Sequence, residues 1–149
     1  MAKTINLGVL GIDHGHIFDM LDEMLKEGCS CNYFWTEGSP LTLDEFSKKY
    51  PQIKRVDNKN DILNDDTIDM ILISSIPKDR ANLSIDAMKA GKDVMVDKPG
   101  CTNLEQLNNL KQTVKDTGKI WSINFSERFH VAAVTKAEEL VAEGKIGKV

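Results

Sequence analysis

The residues best suited to chemistry come early in the chain. Gly11-Ile12-Asp13-His14-Gly15-His16 sits between an aliphatic run, Ile5 to Leu10, and a segment whose apolar residues Ile17, Met20, Leu21, Met24 and Leu25 recur every three or four positions. The hydrophobic period changes from that of a strand to that of a helix at the glycines. A turn of this kind aims the free N–H groups of a helix N-terminus over the sheet, where an anion such as a pyrophosphate is favoured. The dinucleotide fingerprint G-x-G-x-x-G asks for glycine at positions 11, 13 and 16, and the chain has Gly11, Asp13 and His16, with a displaced Gly15. Only the tight-turn glycine is in place. Asp13 stands where the backbone normally approaches the pyrophosphate, and His16 where helix and strand normally pack closely. Alone, the turn suits a strand-to-helix connection in another α/β protein equally well.

Two further groups bear on the chemistry. Glu37 closes an apolar stretch, Cys31 to Thr36, and lies 26 residues past Gly11. An acidic residue at the end of that strand accepts hydrogen bonds from ribose hydroxyls and repels a 2′-phosphate, which favours NAD while leaving NADP open; a solvated turn glutamate before Gly38-Ser39-Pro40 is the other reading. Asp13, His14 and His16 resemble metal ligands, and Cys29-Ser30-Cys31 resembles half a metal site. No second Cys/His pair stands at zinc-site spacing to complete the cysteine pair, and in a turn that faces a cofactor phosphate the two histidines are assigned to cofactor or substrate contact and to loop packing, so no metal is expected.

The elements that must position these groups alternate. After the first strand and helix come a strand ending at Thr36, a helix opened by Thr42 and Glu45, a short strand at Ile53 to Val56 and a small helix at Asp61 to Leu63. Ile68 to Ser75 is a nearly continuous apolar strand of the kind buried on both faces of a parallel sheet, and Ile76-Pro77 ends it where a ligand would lie. A helix over 79–89, a strand at Asp93 to Val96, a helix opened by Thr102 and Glu105 with Leu104, Leu107, Leu110 and Val114 on one face, and a strand at Ile120 to Phe125 follow. A last helix, Phe129 to Glu143, is expected to turn Val131, Val134, Ala137, Leu140 and Val141 inward. This alternation predicts an α/β fold, a Rossmann-like doubly wound parallel sheet forming one domain over 1–149.

Composition excludes several classes. The 149 residues carry 19 basic and 23 acidic side chains, a net charge of −4, and no basic block, so nucleic acid and anionic membranes are not expected partners. Apolar runs are strand-sized and no signal peptide is apparent. Three cysteines, an odd number, read as reduced thiols of a cytoplasmic protein.

Three stretches in order carry a resemblance. Ala90-Gly91-Lys92-Asp93-Val94-Met95-Val96-Asp97-Lys98-Pro99 resembles an "AGKHVxxEKP" segment with Asp97 for glutamate, Ile123 to Phe129 an "NxRF" segment with one extra residue, and Glu143 to Val149 an "EGxIGxV" junction. With the glycine turn, the chain resembles the N-terminal domain of the glucose-fructose oxidoreductase and inositol dehydrogenase family, Gfo/Idh/MocA. The resemblance implies a second α/β domain beyond this chain, which supplies most of the substrate pocket and the interface of a homo-oligomer. It implies Lys98 as the catalytic residue at the reacting oxygen, with Pro99 fixing its turn through a bond that can be cis. Ser74, Ser75, Ile76 and Pro77 would run beneath the nicotinamide ribose, and Gly11, Ile12, Asp13, His14, Gly15, His16, Glu37, Asp97, Lys98 and Arg128 would line the cofactor. Where the family has "TPNxxH", the chain reads Ser75-Ile76-Pro77-Lys78-Asp79-Arg80, so Arg80 replaces the usual histidine without an assigned role.

The leading expectation is the cofactor domain of a nicotinamide-dependent oxidoreductase acting on a sugar, cyclitol or related polyol. A non-catalytic dinucleotide-sensing module of the same fold is the alternative. A metal-dependent enzyme using Asp13, His14 and His16 is the third.

Overall fold

A computed structural model describes residues 4–125 and 131–148. Among them six strands, β1 (Asn6–Leu10), β2 (Ser30–Trp35), β3 (Lys54–Arg55), β4 (Met70–Ile73), β5 (Asp93–Asp97) and β6 (Trp121–Asn124), form one sheet in the order β3-β2-β1-β4-β5-β6. Every neighbouring pair is parallel. The helices α1 (His16–Lys26), α2 (Leu43–Lys49), α3 (Lys59–Leu63), α4 (Pro77–Lys89) and α5 (Leu104–Thr117) lie in the connections, and α6 (Ala132–Ala142) follows β6. The chain proceeds outward from β1 to β3, then returns to β4 on the other side of β1. That reversal opens a crevice at the C-terminal strand ends, the switch point at which open α/β sheets bind ligands.

The core explains the pattern. β4 is buried on both faces: Leu72 points into an apolar layer with Leu7, Val9, Ile17, Leu21, Phe34 and Phe46, while Ile71 and Ile73 point into a second with Ile62, Ala81, Met88, Val94, Val96 and Leu110. The run Ile68 to Ser75 is therefore nearly continuous because Ile71, Leu72 and Ile73 are buried whichever face of the sheet they point to. Among the described residues, no helix is long and apolar enough to cross a membrane.

Several local expectations need correction. Thr42 stands at the N-cap of α2 but makes no cap bond; its hydroxyl donates to the Ile12 carbonyl, so it ties α2 to the glycine turn. The cap of α5 is Asn103, whose side chain accepts from Gln106 N–H at 2.8 Å, one residue later than the Thr102/Glu105 pairing. Leu104 then falls at the start of the helix and is exposed rather than in its apolar stripe. α6 has no buried residue, and Val131 and Val141 are exposed, so the face expected to turn inward is not buried among the described residues.

Candidate functional site

The glycine turn is fixed by its neighbours. Gly11 has φ +79°, and a Cβ there would lie 2.4 Å from Ser75 Cβ, so neither the backbone conformation nor the space admits a side chain. Gly11 N–H donates to the Trp35 carbonyl at 2.7 Å, and its carbonyl accepts from Ser74 N–H at 3.2 Å, linking the ends of β2, β1 and β4. Ser74, buried, also donates its hydroxyl to the His14 carbonyl at 3.1 Å and accepts from His14 N–H at its own carbonyl at 3.1 Å. Gly15 precedes α1, and a Cβ there would meet nothing within 4 Å, so this second glycine is not demanded by packing.

Over this turn lies a cleft of about 490 Å³, lined in part by Gly11, Asp13, Trp35, Glu37, Ser75 and Ile76. Glu37 stands two residues past the end of β2, at the rim. Ser75 is buried beneath the cleft, and Ile76 is exposed over it. An adenosine ribose fits this cradle: a glycine floor that a Cβ would fill, a carboxylate at the end of β2 and a flat apolar wall. Asp13 opposes the rest. Desolvation in the loop, with Asp79 and Glu37 nearby, holds its carboxyl above the ordinary range of 3.8, although a backbone hydrogen bond and Arg80 pull the other way. Its ionised form is thus disfavoured where a pyrophosphate would add further negative charge.

The other end of the crevice is organised by a buried ion pair. Asp97, the last residue of β5, and Arg80, in the first turn of α4, are 0% and 2% exposed, and Arg80 Nη2 lies 2.9 Å from Asp97 Oδ2. Arg80 Nε donates to the Ser75 carbonyl at 2.7 Å, and Nη1 donates to the Asp97 and Lys98 carbonyls at 3.1 and 2.5 Å, beside the cis Lys98–Pro99 bond. Burial pushes the Arg80 guanidinium below its ordinary value while Asp97 opposes this. The fork therefore holds the turn that presents Lys98, which is partly buried. Asp97 Oδ1 in turn lies 2.8 Å from His16 Nδ1, and Oδ2 lies 3.5 Å from His14 Nδ1.

The fold thus brings Gly11, Ile12, Ser74, Ser75, Asp97 and the two histidines to one edge, with Asp13 and Glu37 toward the β2 side and Lys98 toward β6. Arg128 lies outside the described residues. Sequence reasoning left Arg80 without a role; its one signal was an arginine where the resembled segment has histidine, since nothing local shows that a charged residue in a first helical turn is buried.

The family model described as "Oxidoreductase family, NAD-binding Rossmann fold" matches residues 39–125. The uncharacterized oxidoreductase YdgJ of Escherichia coli is 32% identical over all of this chain and 42% of its own length. The scyllo-inositol 2-dehydrogenase (NADP(+)) IolW of Bacillus subtilis is 24% identical over 97% of this chain and 39% of its own. The myo-inositol 2-dehydrogenase of Thermotoga maritima is 26% identical over 97% and 41%. A crystal structure of an Erwinia carotovora atroseptica protein superposes with TM-score 0.86 at 31% identity, covering 95% of this chain and 42% of that one. The chain spans about two fifths of the length of these relatives.

Proposed function

The chain belongs to the Gfo/Idh/MocA oxidoreductase family as an NAD-binding Rossmann domain, and on that premise we propose that it is the cofactor-binding part of a dehydrogenase acting on a sugar, cyclitol or related polyol. Bound NAD supplies the hydride acceptor or donor at its nicotinamide C4. The observation that carries the reading is the turn after β5, where Lys98 is presented by a buried Arg80–Asp97 pair beside the ends of β1 and β4. Lys98 holds the reacting oxygen of the substrate and moves its proton; Gly11, Ser74 and Ser75 seat the cofactor, and Glu37 accepts from its adenine ribose. Glu37 favours NAD over NADP. The polyol class is supported by the inositol dehydrogenases among the relatives. Their greater length supports a second domain beyond this chain that completes the substrate pocket and the subunit contacts.

The test is Lys98→Ala in the full-length enzyme. Loss of at least a hundredfold in turnover with NAD affinity retained is expected. Unchanged turnover would remove Lys98 from the reaction and favour a dinucleotide-sensing module.

A further inference from the structure

We propose that His14, His16 and Asp97 form a binding site for a divalent transition-metal ion, zinc in the first instance, on the Lys98 side of the glycine turn. One donor atom from each of the three residues lies within 4.8 Å of the others. Asp97 reaches His16 Nδ1 through Oδ1 at 2.8 Å and His14 Nδ1 through Oδ2 at 3.5 Å, distances close to those between two ligands on one ion. With bonds of about 2.1 Å, neighbouring ligand atoms stand roughly 3.0 Å apart in an octahedral site and about 3.4 Å in a tetrahedral one.

The protonation pattern points the same way. His16 N–H donates to His14 Nδ1 at 3.3 Å, which places a lone pair rather than a proton on that nitrogen. His14 Nδ1 also lies 3.5 Å from the carboxylate oxygen Oδ2, another acceptor. An ion bound there would bridge the imidazole and the carboxylate, taking the Nδ1 lone pair in place of the long contact from His16 N–H. Arg80 does not fill this role, because its Nη2 reaches Oδ2 at 2.9 Å from α4 and is almost wholly buried, whereas the His14 side chain is 49% exposed. Arg80 instead anchors the carboxylate, as second partners of metal-bound carboxylates do. Two neutral imidazoles with one carboxylate select zinc, iron, cobalt or nickel over magnesium or calcium. Three protein ligands with an exposed side leave positions open for water or a substrate oxygen, next to Lys98.

The sequence alone grouped the histidines with Asp13. The structure replaces it with Asp97, brought in from 81 residues beyond His16. This inference is independent of the hydride-transfer reading, and its test needs no turnover. The chain is stripped with chelator, then titrated with Zn²⁺ by calorimetry and with Co²⁺ by visible absorption, with circular dichroism confirming the fold of each variant. One equivalent bound at micromolar Kd or tighter is expected, with cobalt ligand-field bands and no thiolate charge-transfer band. His16→Ala should weaken binding at least thirtyfold. His14→Ala, at an exposed side chain whose loss leaves the Arg80–Asp97 pair intact, should do likewise. The Cys29→Ser/Cys31→Ser variant should bind as the parent does. Absence of binding below millimolar zinc in the folded chain, binding indifferent to both histidine variants, or loss of the site with the cysteines would each overturn the proposal.

Discussion

Replacing Arg80 by methionine isolates the buried ion pair that holds the Lys98 turn. Methionine matches the length of the arginine stem but removes the fork, leaving the Asp97 carboxylate, 0% exposed, without its cation. It also takes donors from the carbonyls of Ser75, Asp97 and Lys98. Breaking one side of a buried pair costs about 3–5 kcal/mol, because the remaining charge stays desolvated. A domain of this length is stable by roughly 7–15 kcal/mol, so the variant should still fold. At about 2–4 °C per kcal/mol, its melting temperature should fall by roughly 6–20 °C. Adding Asp97→Leu removes the stranded charge. The double variant should therefore be less destabilised than the sum of the two single changes by about 2 kcal/mol or more. Urea unfolding of the four proteins, with the slope held to the two-state value, measures this directly. A loss below about 1 kcal/mol for Arg80→Met, or strict additivity in the double variant, would refute the ion-pair account of this turn.

Other consequences are as specific. Gly11→Ala forces a side chain into φ +79° and to within 2.4 Å of Ser75 Cβ, so it should cost about 2–4 kcal/mol and abolish NAD binding, read by denaturant midpoint and calorimetry. The Asp13 carboxyl titrates above its unfolded value of 3.8, so the folded chain binds the proton more tightly and stability falls as pH rises from that value through the folded one. Asp13→Asn should consequently be more stable than the parent at pH 7 and lose that advantage below pH 3.8, in a pH series of urea midpoints. With one negative charge removed beside the pyrophosphate, worth about 1 kcal/mol, the same variant should bind NAD roughly fivefold more tightly at pH 7.

The sheet was legible because its strands are buried in different ways. Ile71, Leu72 and Ile73, each 0% exposed, leave an unbroken apolar run, while Ile17, Met20 and Leu21 give α1 a helical stripe. Gly11 was legible because a strand-to-helix turn demands a positive φ. The Asp97–Lys98–Pro99 segment was visible only through resemblance, since a strand ending in a charged pair has no local meaning of its own. What escaped was long-range. Neither the 17-residue separation of Arg80 from Asp97 nor the 81-residue separation of His16 from Asp97 leaves a periodic trace, because each pairing is made where the segments after β1, β4 and β5 converge at one edge of the sheet and not by spacing. The inward face assigned to α6 failed for a related reason. Periodicity shows that Val134, Ala137 and Val141 share a side of a helix; it does not show what covers them, and Val141 is 40% exposed.

Calorimetric titration of this folded chain with NAD(H) and then with NADP(H) tests the central claim most directly. One site per chain for NAD(H), with NADP(H) weaker by at least tenfold and that preference reduced in Glu37→Gln, is the predicted result. Heat from neither dinucleotide in a sample folded by circular dichroism, in this chain and in the full-length enzyme alike, would contradict it.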